Sequence, residues 1–298
     1  KEWDYYYIGD QHHGLALTIA DNGYMGLDSI SMLDFDRRWE ITKSAMQLMT
    51  MGRKGLPATS VSGDVASDSR HCRMRFANDG RTRVLDAVMD GFRGADTVVA
   101  HVELTDVPDD SMVICTPFDK PRHFYFNQKI NGLRARGTVQ LGGETWTFEP
   151  DSALATLDWG RGVWTYSNTW YWSSLNAPID GHRFGFNLGY GFGNTTAASE
   201  NMLFYDGKAV KVDQVSFAIP AHDGKDDFMA PWKISSNDGL VNLDFIPVLD
   251  RHADTDMGII ASYQHQVFGR FSGYCRIGRR KVVLDGLMGF AEKVRNRW

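Results

Sequence analysis

The segment RARGTVQLGGETWTF, residues 134–148, decides the fold class that the sequence predicts. Two alternating runs flank Gly142-Gly143, and a Gly-Gly pair between such runs is typical of a tight β-hairpin turn. Similar short runs, separated by Asn-Gly or Asp-Gly, recur along the chain, as at Tyr5 to Ile8 and on both sides of Asp206-Gly207. Many short strands at close spacing favour sandwiches or barrels. We therefore expect an all-β, antiparallel protein with very little helix.

Two segments interrupt this pattern. Residues 52–68 are rich in Gly, Ser, Asp and Ala, which predicts a loop. Asp151 to Leu157 follows Pro150 and begins with the capping residues of a helix, so one or two helical turns are expected there.

Composition excludes several classes of protein. The 298 residues carry a formal net charge of −5 with scattered Lys and Arg, so no nucleic-acid partner is expected. No apolar run approaches the ~20 residues that cross a bilayer, so no transmembrane segment is predicted. The chain opens without Met or a signal peptide, so an N-terminal segment is expected to precede it in the natural protein. The oligomeric state is left open.

Three cysteines, Cys72, Cys115 and Cys275, are far apart in the chain and odd in number. This spacing indicates neither a disulfide framework nor a thiolate metal site. Buried free thiols in a reducing compartment are expected, which predicts a cytoplasmic location.

The segment LDWGRGVWTY, residues 157–166, carries the strongest functional signal. A pocket that orients a ligand combines apolar walls with a few fixed polar groups. We take Asp158, Arg161 and Tyr166 as candidate catalytic residues, and Trp159 and Trp164 as candidate substrate-binding residues. The alternative for Asp158 and Arg161 is a structural ion pair.

The next residues form a stripe of alternating side chains. Tyr166, Asn168, Trp170 and Trp172 share one face if the segment is a strand. Such a stripe lines a barrel interior and contributes Asn168, Trp170 and Trp172 to ligand binding. The alternative is an aromatic core that contains one hydrogen-bonded Asn.

Further candidates lie on other predicted strands. His123, Tyr125, Asn127 and Lys129 alternate onto one face, and this face is either solvent-exposed or the polar wall of a cavity. We take His123, Tyr125 and Asn127 as candidate ligand contacts. Two more candidates are Glu200, which precedes a strand, and His265, which sits within an apolar run and has a core residue as its alternative.

No metal or cofactor site is predicted. His12 and His13 are adjacent, so they face opposite ways in a strand, and no His-x-x-x-His or Glu-x-x-His spacing occurs. The glycine-rich segment of residues 189–193 follows a predicted strand without a helix after it, which indicates a tight turn and not a phosphate loop.

Four longer motifs resemble an uncharacterised bacterial family known only as a domain of unknown function. They are FYFNQK at 124–129, LDWGRGVW at 157–164, ENMLFYDG at 200–207 and HQVFGRFSG at 265–273. The resemblance covers nearly the whole chain. The family name implies no activity.

A more remote resemblance connects the chain to carotenoid hydratase (hydroxyneurosporene synthase) and AttH-like proteins, with tocopherol cyclase further away. It rests on the hairpin of residues 137–148, then Asp158-Trp159-Gly160, then Trp170-Tyr171-Trp172. That group has Asp-His-Glu-Trp-Gly and Trp-Asp-Trp runs, whereas this chain lacks the His and Glu and has Tyr171 in place of the second Asp. The resemblance implies a two-part lipocalin-like fold and the position of the site. It does not carry over the reaction.

We therefore expect two lipocalin-like antiparallel β-barrel or sandwich halves, residues 1–135 and 136–298, that share an aromatic cavity, with the boundary somewhere in 135–225. The first functional hypothesis is an enzyme that hydrates, cyclises or isomerises a small apolar or isoprenoid-like molecule by acid–base chemistry, with the Trp π faces stabilising cationic character. The second is a non-catalytic carrier of a lipid or other hydrophobe. The third is a carbohydrate-active enzyme with a carboxylate pair drawn from Asp158, Glu200 or Glu292.

Overall fold

The structure is a computed structural model that describes residues 1–256, 258 and 261–297. Strands make up 69% of it, and the described residues contain no helix. The strand pairings among the described residues are antiparallel, and one sheet curls into a half-barrel. The all-β fold class is therefore confirmed.

Twelve strands form the first sheet. They are β1 Glu2–Gly9, β2 His13–Asp21, β3 Met25–Asp34, β4 Trp39–Leu48, β5 Val65–Asp68, β6 Cys72–Asn78, β7 Arg83–Arg93, β8 Asp96–Thr105, β9 Met112–Pro117, β10 Phe124–Leu141, β11 Glu144–Phe148 and β12 Leu154–Val163. The strand order is β4-β3-β2-β1-β12-β10-β8-β7-β6-β5, and β9 and β11 also pair with β10. The pairing of β1 with β12 brings the two ends of this half of the chain together.

Nine strands form the second sheet, in the order β16-β15-β14-β13-β23-β22-β21-β20-β17. The strands from β13 onward are β13 Ser167–Ile179, β14 His182–Tyr190, β15 Met202–Tyr205, β16 Lys208–Lys211, β17 Val215–Ala218, β18 Ala221–His222, β19 Lys225–Asp226, β20 Trp232–Ser236, β21 Val241–Asp256, β22 Ala261–Ile277 and β23 Arg280–Arg297. The short β18 and β19 pair with each other.

The chain packs as two compact units. The first contains residues 1–111 and 127–162, and the second contains residues 112–126 and 163–298. Each unit has its own core of buried apolar side chains, for example Leu17, Ile30 and Trp159 in the first and Phe186 and Phe271 in the second. The predicted division into lipocalin-like halves at residues 135 and 136 stays a prediction.

Burial differs between the strands of the first unit. β6 and β8 alternate buried and more exposed residues, as expected for a sheet with one face on the core and one in water. In β1, β2 and β12 nearly every residue is buried, so both faces of these strands lie inside the protein. Asp158 and its neighbours on β12 are consequently shielded from solvent.

The hairpin that decided the fold class is present. β10 and β11 pair from Gly137 with Phe148 to Leu141 with Glu144. Gly142 and Gly143 join them with φ values of 55° and 86°, a left-handed turn that suits the twist of the two strands.

Two local expectations are corrected. The predicted helical turn at Asp151 to Leu157 is wrong, because residues from Leu154 onward pair with β1 and extend the sheet. The predicted loop of residues 52–68 ends earlier, since Val65–Asp68 pair with β6. In both cases tertiary pairing prevails over the local residue pattern.

Candidate functional site

Strand β12 places Asp158 and Arg161 on opposite faces. In the ladder with β1, Asp158 lies opposite Tyr5 and Arg161 lies opposite Glu2. Because successive side chains of a strand point to opposite faces, residues three apart do not share a face. The expected pairing of Asp158 with Arg161 is therefore replaced by a different set of partners on each side.

Asp158 meets two side chains of β10. Asn127 Nδ2 donates to Asp158 Oδ1 at 2.6 Å, and also donates to the Trp159 carbonyl oxygen at 3.0 Å. Lys129 Nζ lies 3.2 Å from Asp158 Oδ2. Asn127 is fully buried, and Lys129 and Asp158 are 4% and 6% exposed. The result is a buried ion pair whose carboxylate has a donor on each oxygen.

The polar character continues along the same two strands. Asn131 Nδ2 donates to Thr156 Oγ1 at 3.3 Å, and both residues are buried. Together with Asn127, Lys129 and Asp158 they form what we term the polar ladder. The alternating face that the sequence predicted is thus present for Asn127 and Lys129, and the interpretation of it as solvent-exposed is wrong for these residues.

Asn127 contributes a buried acceptor to the polar ladder. Among the residues that the structure describes, Asn127 Oδ1 receives no hydrogen bond, although the residue is fully buried. Buried amide oxygens are nearly always satisfied by protein or water. This oxygen, beside the Asp158 carboxylate, is therefore a place where a donor from a ligand or a water molecule is expected.

Arg161 belongs to the other face of β12. Its Nη2 lies 2.9 Å from Asp4 Oδ1, and its Nε lies 3.4 Å from Glu2 Oε2. The guanidinium stacks over the Trp159 ring at 4.2 Å and donates to the carbonyl oxygen of Pro57 at 2.8 Å. Burial raises the pKa of Asp4, and the neighbouring Arg161 opposes this rise. Arg161 and Trp159 thus lie in one network with Asp4 and Glu2, and the catalytic role of Arg161 and the substrate contact of Trp159 stay predictions.

In the second unit, the predicted stripe on β13 carries hydrogen-bonded indoles. Trp170 Nε1 donates to Glu292 Oε1 at 2.8 Å, and Gln266 Nε2 donates to Glu292 Oε2 at 2.9 Å. Trp172 lies directly opposite Glu292 in the ladder of β13 with β23. Glu292 is only 3% exposed, so this unit also contains a buried carboxylate beside aromatic rings.

Glu200 joins the same region through an amide. Trp172 Nε1 donates to Asn187 Oδ1 at 2.6 Å, and Asn187 Nδ2 donates to Glu200 Oε2 at 3.0 Å. Asn187 is fully buried on β14. The structure thus connects Trp172 with Glu200 through Asn187, a residue that the sequence did not single out.

An aromatic cluster forms around Phe192. The centroid of its ring lies 4.8 Å from that of Tyr125, 5.5 Å from that of Trp164 and 5.1 Å from that of Trp170, all in edge-to-face arrangements. Phe192 follows Gly191, which has a φ of 96°. A Cβ atom added at Gly191 would lie only 2.7 Å from the backbone oxygen of Thr169, so a larger residue does not fit there. The glycine-rich segment of residues 189–193 therefore positions Phe192 among these rings, which the sequence did not predict.

The remaining candidates lie elsewhere. Tyr166 is 54% exposed, and Asn168 Nδ2 donates to the Thr165 carbonyl oxygen at 3.0 Å. His123 precedes β10 and contacts the Pro121 carbonyl oxygen through Nδ1 at 3.0 Å. His265 contacts Asp250 on β21. The catalytic role of Tyr166 and the ligand contacts of the other three stay predictions.

Sequence reasoning missed Lys129 and Phe192. Lys129 was recognised as part of an alternating face but not as the partner of Asp158. A Lys in phase with Asn127 inside a strand was the available signal. For Phe192 the signal was an aromatic residue within a glycine run.

Solved structures with the same fold include three that span almost this whole chain. Kievitone hydratase from Nectria haematococca is 12% identical with a TM-score of 0.51, covering 100% of this chain and 88% of its own. A putative AttH from Nitrosomonas europaea is 14% identical with a TM-score of 0.59, covering 98% and 91%. CghA, solved with Sch210972, is 9% identical with a TM-score of 0.51, covering 99% and 87%. At these identities the similarity establishes the lipocalin-like fold.

No curated protein matches the sequence. Among the described residues there is no helix with the length and hydropathy needed to span a bilayer. A family model, in contrast, matches residues 1–298. The chain therefore belongs to the family described as Domain of unknown function (DUF2804).

Proposed function

We propose that this protein is an enzyme that acts on a small apolar molecule by acid–base chemistry, with Asp158 as the group that exchanges the proton. The observation that carries the proposal is the polar ladder: a buried carboxylate beside an ammonium and a fully buried amide oxygen that has no partner among the described residues. Hydration, isomerisation and cyclisation all require such a group at a carbon or oxygen of the substrate.

The Asp158–Lys129 pair differs from the buried pairs Arg161–Asp4 and Lys54–Asp28 in having Asn127 Oδ1 beside it, a buried oxygen without a partner among the described residues. A buried ion pair loses the hydration of both charges, and apolar residues of similar volume are often equally stabilising or better. The pair is thus weak as a source of stability. An acid–base site, in contrast, uses a positioned carboxylate that is screened from bulk water.

The contacts of Asp158 favour the role of a base. Both oxygens accept hydrogen bonds from cationic or amide donors, as the oxygens of a carboxylate that accepts a proton do. We propose that Asp158 takes a proton from the substrate or from water and returns it to another atom of the substrate as the product forms. Lys129 stabilises the negative charge that develops on the deprotonated molecule, and Asn127 Oδ1 accepts a hydrogen bond from the substrate or water.

One further observation supports a small-molecule substrate. The fold is shared with a hydratase, kievitone hydratase, which makes addition of water the first reaction to test.

A carrier is the second candidate. Aromatic rings such as those of the Phe192 cluster suit an apolar ligand, and a carrier needs no proton-transfer group. The carbohydrate hypothesis uses Glu200 and Glu292 as candidate members of a carboxylate pair. In the structure Glu200 accepts a hydrogen bond from Asn187, and Glu292 accepts hydrogen bonds from Trp170 and Gln266. That hypothesis remains a prediction.

The experiment identifies the ligand and asks whether it changes. Native mass spectrometry of the purified chain, followed by extraction, reveals any co-purifying molecule. The protein is then incubated with that molecule, and with a panel of isoprenoid alkenes and phenolic alkenes, in water labelled with heavy oxygen. We expect a product that gains labelled water, or an isomer of the substrate, with wild type and not with Asp158→Asn. A ligand that binds and is recovered unaltered would establish the carrier instead.

A further inference from the structure

A second cluster of chemically active side chains lies on β21 and β22, apart from the residues of the proposed function. His252 and His265 are directly opposite each other in the antiparallel ladder. Their rings stack with centroids 4.6 Å apart and an angle of 18° between planes. Asp250 and Asp254 flank His252 at alternate positions of β21, so all four side chains share one face of the sheet.

The donor atoms of three of these residues converge. One ligand atom from each of His252, Asp254 and His265 lies within 4.8 Å of the others. His252 Nε2 is 3.1 Å from Asp254 Oδ2. Two ligands at ~2.0–2.1 Å from a tetrahedral zinc ion are separated by about 3.3 Å, so this contact matches one edge of a zinc coordination shell.

A carboxylate fixes the orientation of His265. Its Nδ1 lies 2.7 Å from Asp250 Oδ2, which directs Nε2 away from Asp250. The Phe228 ring stacks on the imidazole, with ring centroids 3.8 Å apart and an angle of 12° between the planes. Histidines that ligate metals almost always hold their second nitrogen on a carboxylate, carbonyl or water in this way.

We propose that His252, Asp254 and His265 bind a divalent cation of the zinc class, with Asp250 as a positioning residue. Two imidazoles and one carboxylate suit Zn²⁺ and its transition-metal neighbours better than Ca²⁺ or Mg²⁺, which prefer all-oxygen ligands. The ion would lie between His252 Nε2 and Asp254 Oδ2, in place of their direct contact. Three protein ligands leave the fourth tetrahedral position to water or to an added ligand.

The feature that distinguishes this cluster is the second imidazole. His182 and Asp206 form an otherwise similar contact, with Nδ1 at 2.7 Å from the carboxylate. A His–Asp contact alone is therefore no sign of a metal. The sequence predicted no metal site because the two histidines lie on different strands and meet only through strand pairing.

The test is titration of the untagged full chain with Zn²⁺ by calorimetry and with Co²⁺ by visible absorption. Both are done in a Cys115→Ser background to remove the exposed thiol as a competing donor. We expect one equivalent to bind, with a Co²⁺ spectrum of nitrogen and oxygen ligation. His252→Gln and Asp254→Asn should each weaken binding at least about 10-fold, and Asp250→Asn about 10–100-fold, the range measured for groups that orient ligands.

His182→Gln is the matched control, because it removes a histidine of the same unit that contacts one carboxylate. We expect it to leave the affinity unchanged. Absence of a tight equivalent in the parent chain, or equal weakening by His182→Gln and His252→Gln, would overturn the proposal. Metal binding is measured directly, so this result is independent of the proposed acid–base function.

Discussion

At the scale of single residues, two buried aspartates lie on opposite faces of the paired strands β1 and β12, and each has a different cation beside it. Asp158 lies beside Lys129 and Asn127 in the polar ladder. Asp4, on β1, lies on the opposite face beside Arg161. Burial raises the pKa of Asp4 although Arg161 opposes it, so the folded protein holds the Asp4 proton more tightly than the unfolded chain does.

The raised pKa of Asp4 predicts a specific dependence of stability on pH. When the folded state binds more protons than the unfolded state, stability falls as the pH rises from the ordinary pKa of an aspartate towards the raised one. Asp4→Asn should lack this fall, which urea unfolding at a series of pH values measures.

Asp64 supplies the control of opposite sign. Hydrogen bonds from the Asn78 backbone and from Arg75 lower the pKa of this exposed residue. Its contribution to stability is therefore present above the ordinary aspartate pKa and lost as the pH falls. An Asp4→Asn variant with the same pH profile as wild type would contradict the assignment for Asp4.

Several site residues were predictable because their chemistry is visible in short motifs. Asp158, Asn127, Trp170 and Trp172 stand out as polar or indole side chains at strand spacing. Their partners were not predictable. Which acid meets Arg161 depends on the register of β1 with β12, and that register joins residues at opposite ends of the first unit.

At the scale of elements, a buried polar network joins two strands that are distant in the sheet order. β3 and β5 lie near opposite ends of that order. Asp28 on β3 accepts from Ser67 Oγ on β5 at 2.6 Å and from Lys54 Nζ at 2.6 Å, and Lys54 Nζ also lies 2.6 Å from Ser67 Oγ. Asp28, Lys54 and Ser67, which we term the seam network, therefore connect β3 with β5 across the curled sheet.

Loss of the cation in this seam should be costly. Lys54→Met leaves the Asp28 carboxylate buried without its counter-charge, and we expect the free energy of unfolding to fall by about 3–5 kcal/mol. Lys43→Met, on the exposed part of β4, should change it by no more than about 0.5 kcal/mol. Urea unfolding of both variants provides the comparison. Equal effects of the two substitutions would show that the seam network does not stabilise the sheet.

Hairpins were the elements that the sequence predicted best, because the residue pairs Gly142-Gly143 and Asp206-Gly207 are local signals of a tight turn. The helical turn expected after Pro150 failed for the opposite reason. The local pattern of Asp151 to Leu157 fits a helix, but the pairing of β12 with β1 is a long-range interaction that no local pattern contains.

At the scale of the whole molecule, each of the two cores contains one buried thiol, and the third thiol is exposed. Cys72 and Cys275 are fully buried, and burial raises the pKa of each to about 12. Cys115 is exposed on β9. Since the thiolate is the reactive form, only the exposed cysteine should react quickly.

Thiol titration of the native protein with Ellman's reagent should therefore show one fast-reacting group. Cys115→Ser should remove it, and unfolding in urea should expose the other two. Rapid reaction of a second thiol in the Cys115→Ser variant under native conditions would contradict the burial of the two cores.

The central claim is that Asp158 performs acid–base chemistry on a small molecule. The most direct test is the initial rate of the reaction with the identified substrate at saturation, comparing Asp158→Asn with Asp4→Asn, a buried aspartate on the other face of the same sheet. We predict that Asp158→Asn loses at least about 100-fold in kcat while it still binds the substrate and keeps its circular dichroism spectrum. Asp4→Asn should stay within a few-fold of wild type. Turnover by Asp158→Asn at the wild-type rate would contradict the account.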